Sequence, residues 1–168
     1  MSDEIINRVA SSSLVVFDLE DYYPDGERIL FDIKEWLYKG LVLREKEFRD
    51  QVKNHNWKQY QDTYVALMCS TDAIVPAWAF MLLSIQLEPY VKKSLIGTLE
   101  TLELSIYQDI IFNLDVSAYK NKPIIIKGCS HKPVPDNAYV LLSQKLKPIA
   151  KSIMYGEACS SVPLFKKK

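Results

Sequence analysis

Cys69, Cys129 and Cys159 are the side chains in this sequence best suited to chemistry, and the chain has no other cysteine. Two of them open related stretches, CSTDAIVPAWAFMLLSIQLEP from Cys69 and CSHKPVPDNAYVLLSQKLKP from Cys129. Three thiolates with one carboxylate or imidazole suit a zinc ion or an iron-sulfur cluster, because soft sulfur ligands select those metals. A thiolate activated at a helix N-terminus would instead serve nucleophilic or redox chemistry, with His131 close enough in sequence to Cys129 to act as its base. A third reading needs no chemistry, since free cysteine often packs as a small buried hydrophobe. Spacing does not choose among them: there is no CxxC pair, and the long separations match no standard metal motif.

What could bring the thiols together is an internal repeat. Laid without a gap over VPDNAYVLLSQKLKPIAKSIMYG (Val134–Gly156), VPAWAFMLLSIQLEPYVKKSLIG (Val75–Gly97) shares Val, Pro, Ala, Leu, Leu, Ser, Leu, Pro, Lys and Gly. Two unrelated amphipathic helices would explain the leucines, but not the shared VP start, the LxP near the end and the closing glycine, so the pattern reads as a duplication. Cys159 and Glu100 both lie three residues past that glycine. In space the repeat would make Cys69 with Glu100, and Cys129 with Cys159, equivalent pairs. Asp72 or His131 would complete a metal site.

The elements that must position these residues follow from periodicity. YVALMC and PIIIKGC are short apolar runs bounded by turn residues and read as buried strands. Pro76 and Pro135 sit where a first helical turn tolerates a missing amide donor, while Pro89 and Pro148 end or kink their helices. A second strand is expected through Gly97 or Gly156, which makes the unit strand, Cys-Ser loop, helix, strand. Between the copies, Leu102, Ile106, Ile110 and Leu114 recur every fourth residue and predict an amphipathic connecting helix. Upstream, LVVFDLEDYY reads as a strand, RILFDI as a second strand able to pair with it, and residues 44–60 as an exposed helix.

The expected fold is α/β: a single domain with a mainly parallel sheet, an N-terminal strand and helix extension over residues 1–60, repeats over 61–100 and 121–165, and a connecting helix over 101–120. Right-handed crossovers in a parallel sheet put the strand C-termini along one edge, where open sheets bind ligands. Cys69 and Cys129 are expected to end equivalent strands there.

Composition narrows the classes. A chain of 168 residues, 48% apolar and 25% charged, has enough apolar material for a sizeable core. Basic and acidic residues number 21 each, so no overall field attracts a polyanion and a general nucleic-acid partner is not expected. MSDEIINRVASSS lacks the apolar core of a secretory signal, and no stretch has the length of a membrane span. A cytoplasmic protein with reduced thiols is therefore expected. The five glycines form neither GxGxxG nor a P-loop.

Other polar residues have a bland reading beside a functional one. Asp18, Glu20 and Asp21 could hold a hard cation or act as acid and base, or form a solvated strand end. His55, in KNHNW, reads as part of an exposed helix. Ser70 and Ser130 suit turns or caps. The segment VPAWAFMLL is apolar on nearly all sides, which requires either full burial or cover by a partner chain and makes a homodimer an expectation.

The stretches VVFDLEDYYP, CSTDAIVPAWA, KGCSHKPVPDNAYV and GEACSSVPLFK, spread over nearly the whole chain, resemble a family of uncharacterised Bacteroidetes proteins, domain of unknown function 2480. The resemblance implies a cytoplasmic bacterial protein of about this length and supplies no catalytic residues. Through the proximity of such genes to iron-sulfur assembly components, it implies iron-sulfur assembly proteins as partners. Three functions follow as expectations: a thiolate-ligated metal or iron-sulfur accessory protein, a non-catalytic dimeric interaction module, or an enzyme with a reactive cysteine.

Overall fold

Short apolar runs become strands when both of their faces are covered, and the computed structural model, which describes residues 14–128, 131–157 and 160–168, has such strands at both predicted places. The elements in chain order are β1 (Val15–Phe17), β2 (Arg28–Asp32), α1 (Glu45–Asn54), β3 (Tyr64–Met68), α2 (Ala77–Leu87), β4 (Lys93–Ile96), α3 (Leu99–Asn113), β5 (Pro123–Ile126), α4 (Asp136–Leu146), β6 (Ser152–Glu157) and β7 (Ser160–Lys166). Short 3-10 turns at Leu19–Tyr22, Ile33–Trp36, Trp57–Tyr60 and Ser117–Tyr119 punctuate them. Among the described residues no helix is long and apolar enough to cross a membrane.

The fold is α/β with mostly parallel strands, and those strands form two sheets, ordered β2-β3-β4 and β1-β5-β6-β7. Every pairing is parallel except β6 with β7. The chain divides into two compact units, a contiguous one (Pro24–Ile106) and a split one (Met1–Tyr23 with Tyr107–Lys168). RILFDI does not pair with the first strand: β1 pairs with β5, and β2 with β3. Each strand supplies an equivalent edge to its own sheet, Phe17 opposite Ile126 and Phe31 opposite Leu67.

The duplication reaches further than the repeated words. In both copies the helix buries the same three positions, Ala79, Leu83 and Leu87 in α2 and Ala138, Leu142 and Leu146 in α4. Full burial of each leucine stabilises by roughly 1.5–3 kcal/mol relative to exposure. Both helices start after a proline and end one residue before the residue preceding Pro89 or Pro148. The same turn follows: Val91 N donates to Leu87 O, and Ala150 N to Leu146 O. Asp62 and Asn121, both with positive φ, then donate to Tyr90 O and Ile149 O.

Upstream, α1 buries Phe48 and Val52 as the second half of α3 buries Tyr107 and Ile111. The contiguous unit therefore holds the matching strands and helices in one uninterrupted stretch, and the split unit's copy is interrupted after its first strand and turn by that entire unit. Residues 44–60 are not one exposed helix: α1 stops at Asn54, and Trp57 and Tyr60 in the next turn are buried. The buried stripe of α3 differs from the expected one: Leu102 and Ile106 are buried, Tyr107 and Ile111 are buried equally deeply, and Ile110 and, just past the helix, Leu114 are only partly buried. After the glycine the copies diverge: Gly97 leads into α3, whereas β6 runs through Gly156 to Glu157 and pairs antiparallel with β7.

Candidate functional site

Two features stand out: the C-terminal edge of each sheet and the outer face of α2. In both units the strand that carries Phe-Asp-Leu/Ile ends in a 3-10 turn capped by its aspartate. Asp18 Oδ1 accepts from Glu20 N at 2.9 Å, and Asp32 Oδ1 from Lys34 N at 3.0 Å. Glu20 thus lies in a turn and not in the strand expected over LVVFDLEDYY. The shared tripeptides FDL and FDI were the available sequence signal for this correspondence.

At the edge of the split unit, Lys127 Nζ lies 2.6 Å from Asp18 Oδ2. The hydrogen bond to Asp18, with Glu20 and Glu157 adding charge, holds Lys127 above its ordinary pKa against a smaller opposing effect of burial. It stays cationic near neutrality and is not available as a base or amine nucleophile. The Glu20 carboxylate accepts the backbone N–H groups of His131 and Lys132, the latter at 2.8 Å, and so anchors the loop before α4. Tyr22 stacks on Phe17 at 5.2 Å. Burial, then Tyr22 and Asp21, push the Tyr119 hydroxyl up to about 12. Asp18 and Glu20 are thus engaged in fixing a turn, a lysine and a loop, whereas Asp21 is exposed.

The contiguous unit uses its equivalent edge differently. Asp32 also accepts from Ser70 N at 3.1 Å. Burial raises its carboxyl, but the Ser70 and Lys34 hydrogen bonds and the Lys34 charge outweigh this and lower it. Cys69 is half-buried against the core, with Sγ 3.4 Å from Thr71 Oγ1, which in turn donates to Gly40 O at 2.8 Å.

Strand register also corrects the alignment of the Cys-Ser pairs. Tyr64 is matched by Pro123 and Leu67 by Ile126, so Cys69 is matched by Gly128. A glycine fits there closely, since a Cβ would stand 2.9 Å from the Tyr155 ring and oblige that side chain to shift. Cys129 and Cys159 lie outside the described residues. Asp72 and His131 are exposed loop residues in different units, and Glu100 is exposed in the first turn of α3, its carboxyl lowered chiefly by the Thr98 hydroxyl. Among the described residues no group of three His, Cys, Asp or Glu side chains could hold a metal ion.

His55 was unrecognised from sequence because its polar neighbours hide a tertiary role. It lies just past α1 among Phe31, Trp36, Trp57 and Tyr60, with Nε2 2.9 Å from Tyr60 Oη. Burial lowers its pKa. The contiguous unit also holds a nearly buried ion pair, Arg28 Nε to Glu103 Oε2 at 2.9 Å, with the guanidinium further bonded to Pro24 O and Gly26 O. Every cationic donor direction named here ends on the same unit, which makes Arg28 a structural clamp.

The outer face of α2 has no such saturation. Its inward residues are buried, yet Met81 and Ile85 are 63% and 65% exposed, and Ile96 on neighbouring β4 is 58% exposed. With Leu67, Phe80 and Ser84 they line an open groove of about 360 Å³. A largely apolar surface without a charged lining offers no acid-base group; it removes apolar area from water when something docks.

The α/β fold with two mostly parallel sheets and an exposed apolar face on α2 defines a class without supplying a reaction. The chain belongs to the family described as protein of unknown function (DUF2480), whose model matches residues 3–167. Comparison with curated proteins and with solved structures finds no match.

Proposed function

We propose that this protein is a non-catalytic interaction module whose docking surface is the outer face of α2 together with β4. The observation that carries this reading is the exposure of Met81, Ile85 and Ile96 on one contiguous apolar groove. Equivalent positions in the split unit are Val140, Gln144 and Tyr155, a more polar set. Cys69 then acts as a packing residue. Genetic complementation tests the reading: a Met81→Lys/Ile85→Lys chain should fail, and a chain with all three cysteines changed to Ala should succeed. The reverse pattern rejects it.

A second reading draws support from topology. β5 and β6 are parallel neighbours, and Gly128 and Glu157 are the described residues that lead into positions 129–130 and 158–159. Cys129 and Cys159, with His131 or Glu157, would form a zinc or iron-sulfur site on this reading, and iron-sulfur assembly proteins would be its partners. Metal and sulfide content of protein purified without oxygen separates the two. Near-stoichiometric iron or zinc that disappears in Cys159→Ser favours the thiolate site, and metal-free protein favours the module.

A further inference from the structure

The split unit contains a template for what covers the groove. There β6 is not an edge: β7 pairs with it antiparallel, setting Phe165 opposite Ile153 and Lys166 opposite Ser152. Phe165 packs on that unit's core and, with Leu164, stands beside Ser143 and Gln144 of α4. The corresponding residues of the contiguous unit are Ser84 and Ile85 of α2 and Ser94 of β4, and among the described residues β4 is the outermost strand of its sheet. The element equivalent to β7 is the one part of the copy that the contiguous unit lacks, because the chain turns into α3 at Leu99.

We propose that the contiguous unit completes its sheet with a second copy of this chain, β4 pairing antiparallel with the second copy's β4. The inference rests on the docking-surface reading above and names its occupant. An antiparallel pair of identical strands has its twofold axis perpendicular to the sheet, so the two sheets join into six strands. The same operation leaves both α2 helices on one face, side by side. Phe80, Met81 and Ile85 of each copy then cover those of the other.

The groove carries no charged side chain that would select a charged partner, and an uncharged apolar face is complementary to itself. Lysines commonly guard open edges against pairing. Lys93 on this strand and Lys92 just before it are turned back into the unit: Lys92 Nζ donates to Asp25 O at 2.6 Å and Lys93 Nζ to Ser105 O at 3.0 Å.

The test is sedimentation equilibrium on the full chain, with Ile85→Lys and Ile96→Lys as disrupting variants and Gln144→Lys as the control at the position equivalent to Ile85. Circular dichroism establishes that each is folded. The expected result is a wild-type dimer, weakened about a hundredfold or more by either isoleucine change because like charges meet across the axis, and unchanged by Gln144→Lys. A dimer that survives both isoleucine variants overturns β4 pairing. A wild-type monomer also overturns the proposal. In that case a synthetic peptide of Ser160–Lys168 separates the failures. Binding that Ile85→Lys abolishes leaves the docking surface standing with a different occupant, and no binding removes the docking surface as well.

Discussion

The two copies share a scaffold and differ at one edge. In the split unit β6 is capped by β7, and the helix beside it presents Val140 and Gln144. In the contiguous unit β4 has a strand on one side only among the described residues, and the helix beside it presents Met81 and Ile85. Polarity on the outer face thus changes together with the presence of a capping strand, while the inner faces keep the same Ala-Leu-Leu spacing. The inward residues specify the fold, and the outward residues specify what each copy leaves for other molecules.

The largest expected effect tests the sameness of the interiors. Leu83→Ala and Leu142→Ala should each destabilise by about 3 kcal/mol in urea unfolding, since both side chains are fully buried. A clear inequality between them would break the claim that the copies pack alike. The next effect is unequal by expectation. Gly97 and Gly156 both have positive φ, but a Cβ on Gly156 meets Ser160 O at 2.6 Å, whereas one on Gly97 meets the Thr101 side chain at 3.0 Å. Gly156→Ala should cost about 2 kcal/mol and Gly97→Ala about 1 kcal/mol, because the latter clash can be relieved by a side-chain shift.

Phe165→Ala sharpens the contrast at the edge itself. Phe165 is only half-buried, so a loss of about 1.5 kcal/mol is expected, less than for a core phenylalanine. It would also open in the split unit a groove like that of the contiguous one, read as a rise in fluorescence of an apolar dye.

The smallest effect concerns His55, which occupies the position where the other copy has Leu114. Its folded pKa lies below the usual 6.5, so its contribution is fully present above that value and declines as pH falls through the folded pKa. Thermal stability should therefore drop on mild acidification, and His55→Leu should flatten that part of the profile. An unchanged slope would show that His55 is not the titrating group.

The part of the duplication legible in sequence is the part in which backbone geometry restricts residue choice. Pro76 and Pro135 start helices, Pro89 and Pro148 follow their ends, Gly97 and Gly156 take positive φ, and small or leucine side chains fill the same interior sites. Between α1 and the second half of α3 only generic burial is shared, so Phe48 matches Tyr107 and Val52 matches Ile111, with Asp50/Asp109 and Asn54/Asn113 as the identities. Pattern reading does not recover such a match.

The division into two sheets was equally hidden, because β1 and β2 look alike and nothing local states which distant strand each will meet. For the candidate site, the apolar excess of α2 was visible in VPAWAFMLL. Its consequence depended on β4 lacking a counterpart to β7, which is a property of topology. Cys69 shows the converse: a reactive residue type drew attention, and its half-burial against the core beside Thr71 was not legible in the sequence.

The interruption of one copy by the other imposes an order in time. Residues 24–106 can leave the ribosome and close their sheet from nearby strands. β1, already synthesised, must wait for β5 roughly a hundred residues later, since Val15 pairs with Ile124. When the contiguous unit is folded, the segment joining β1 to its partner is a compact body; when it is unfolded, that segment becomes a long flexible loop whose closure costs entropy. Loosening the contiguous unit therefore weakens the split one through the chain alone, whereas loosening the split unit leaves the contiguous one with all its own strands.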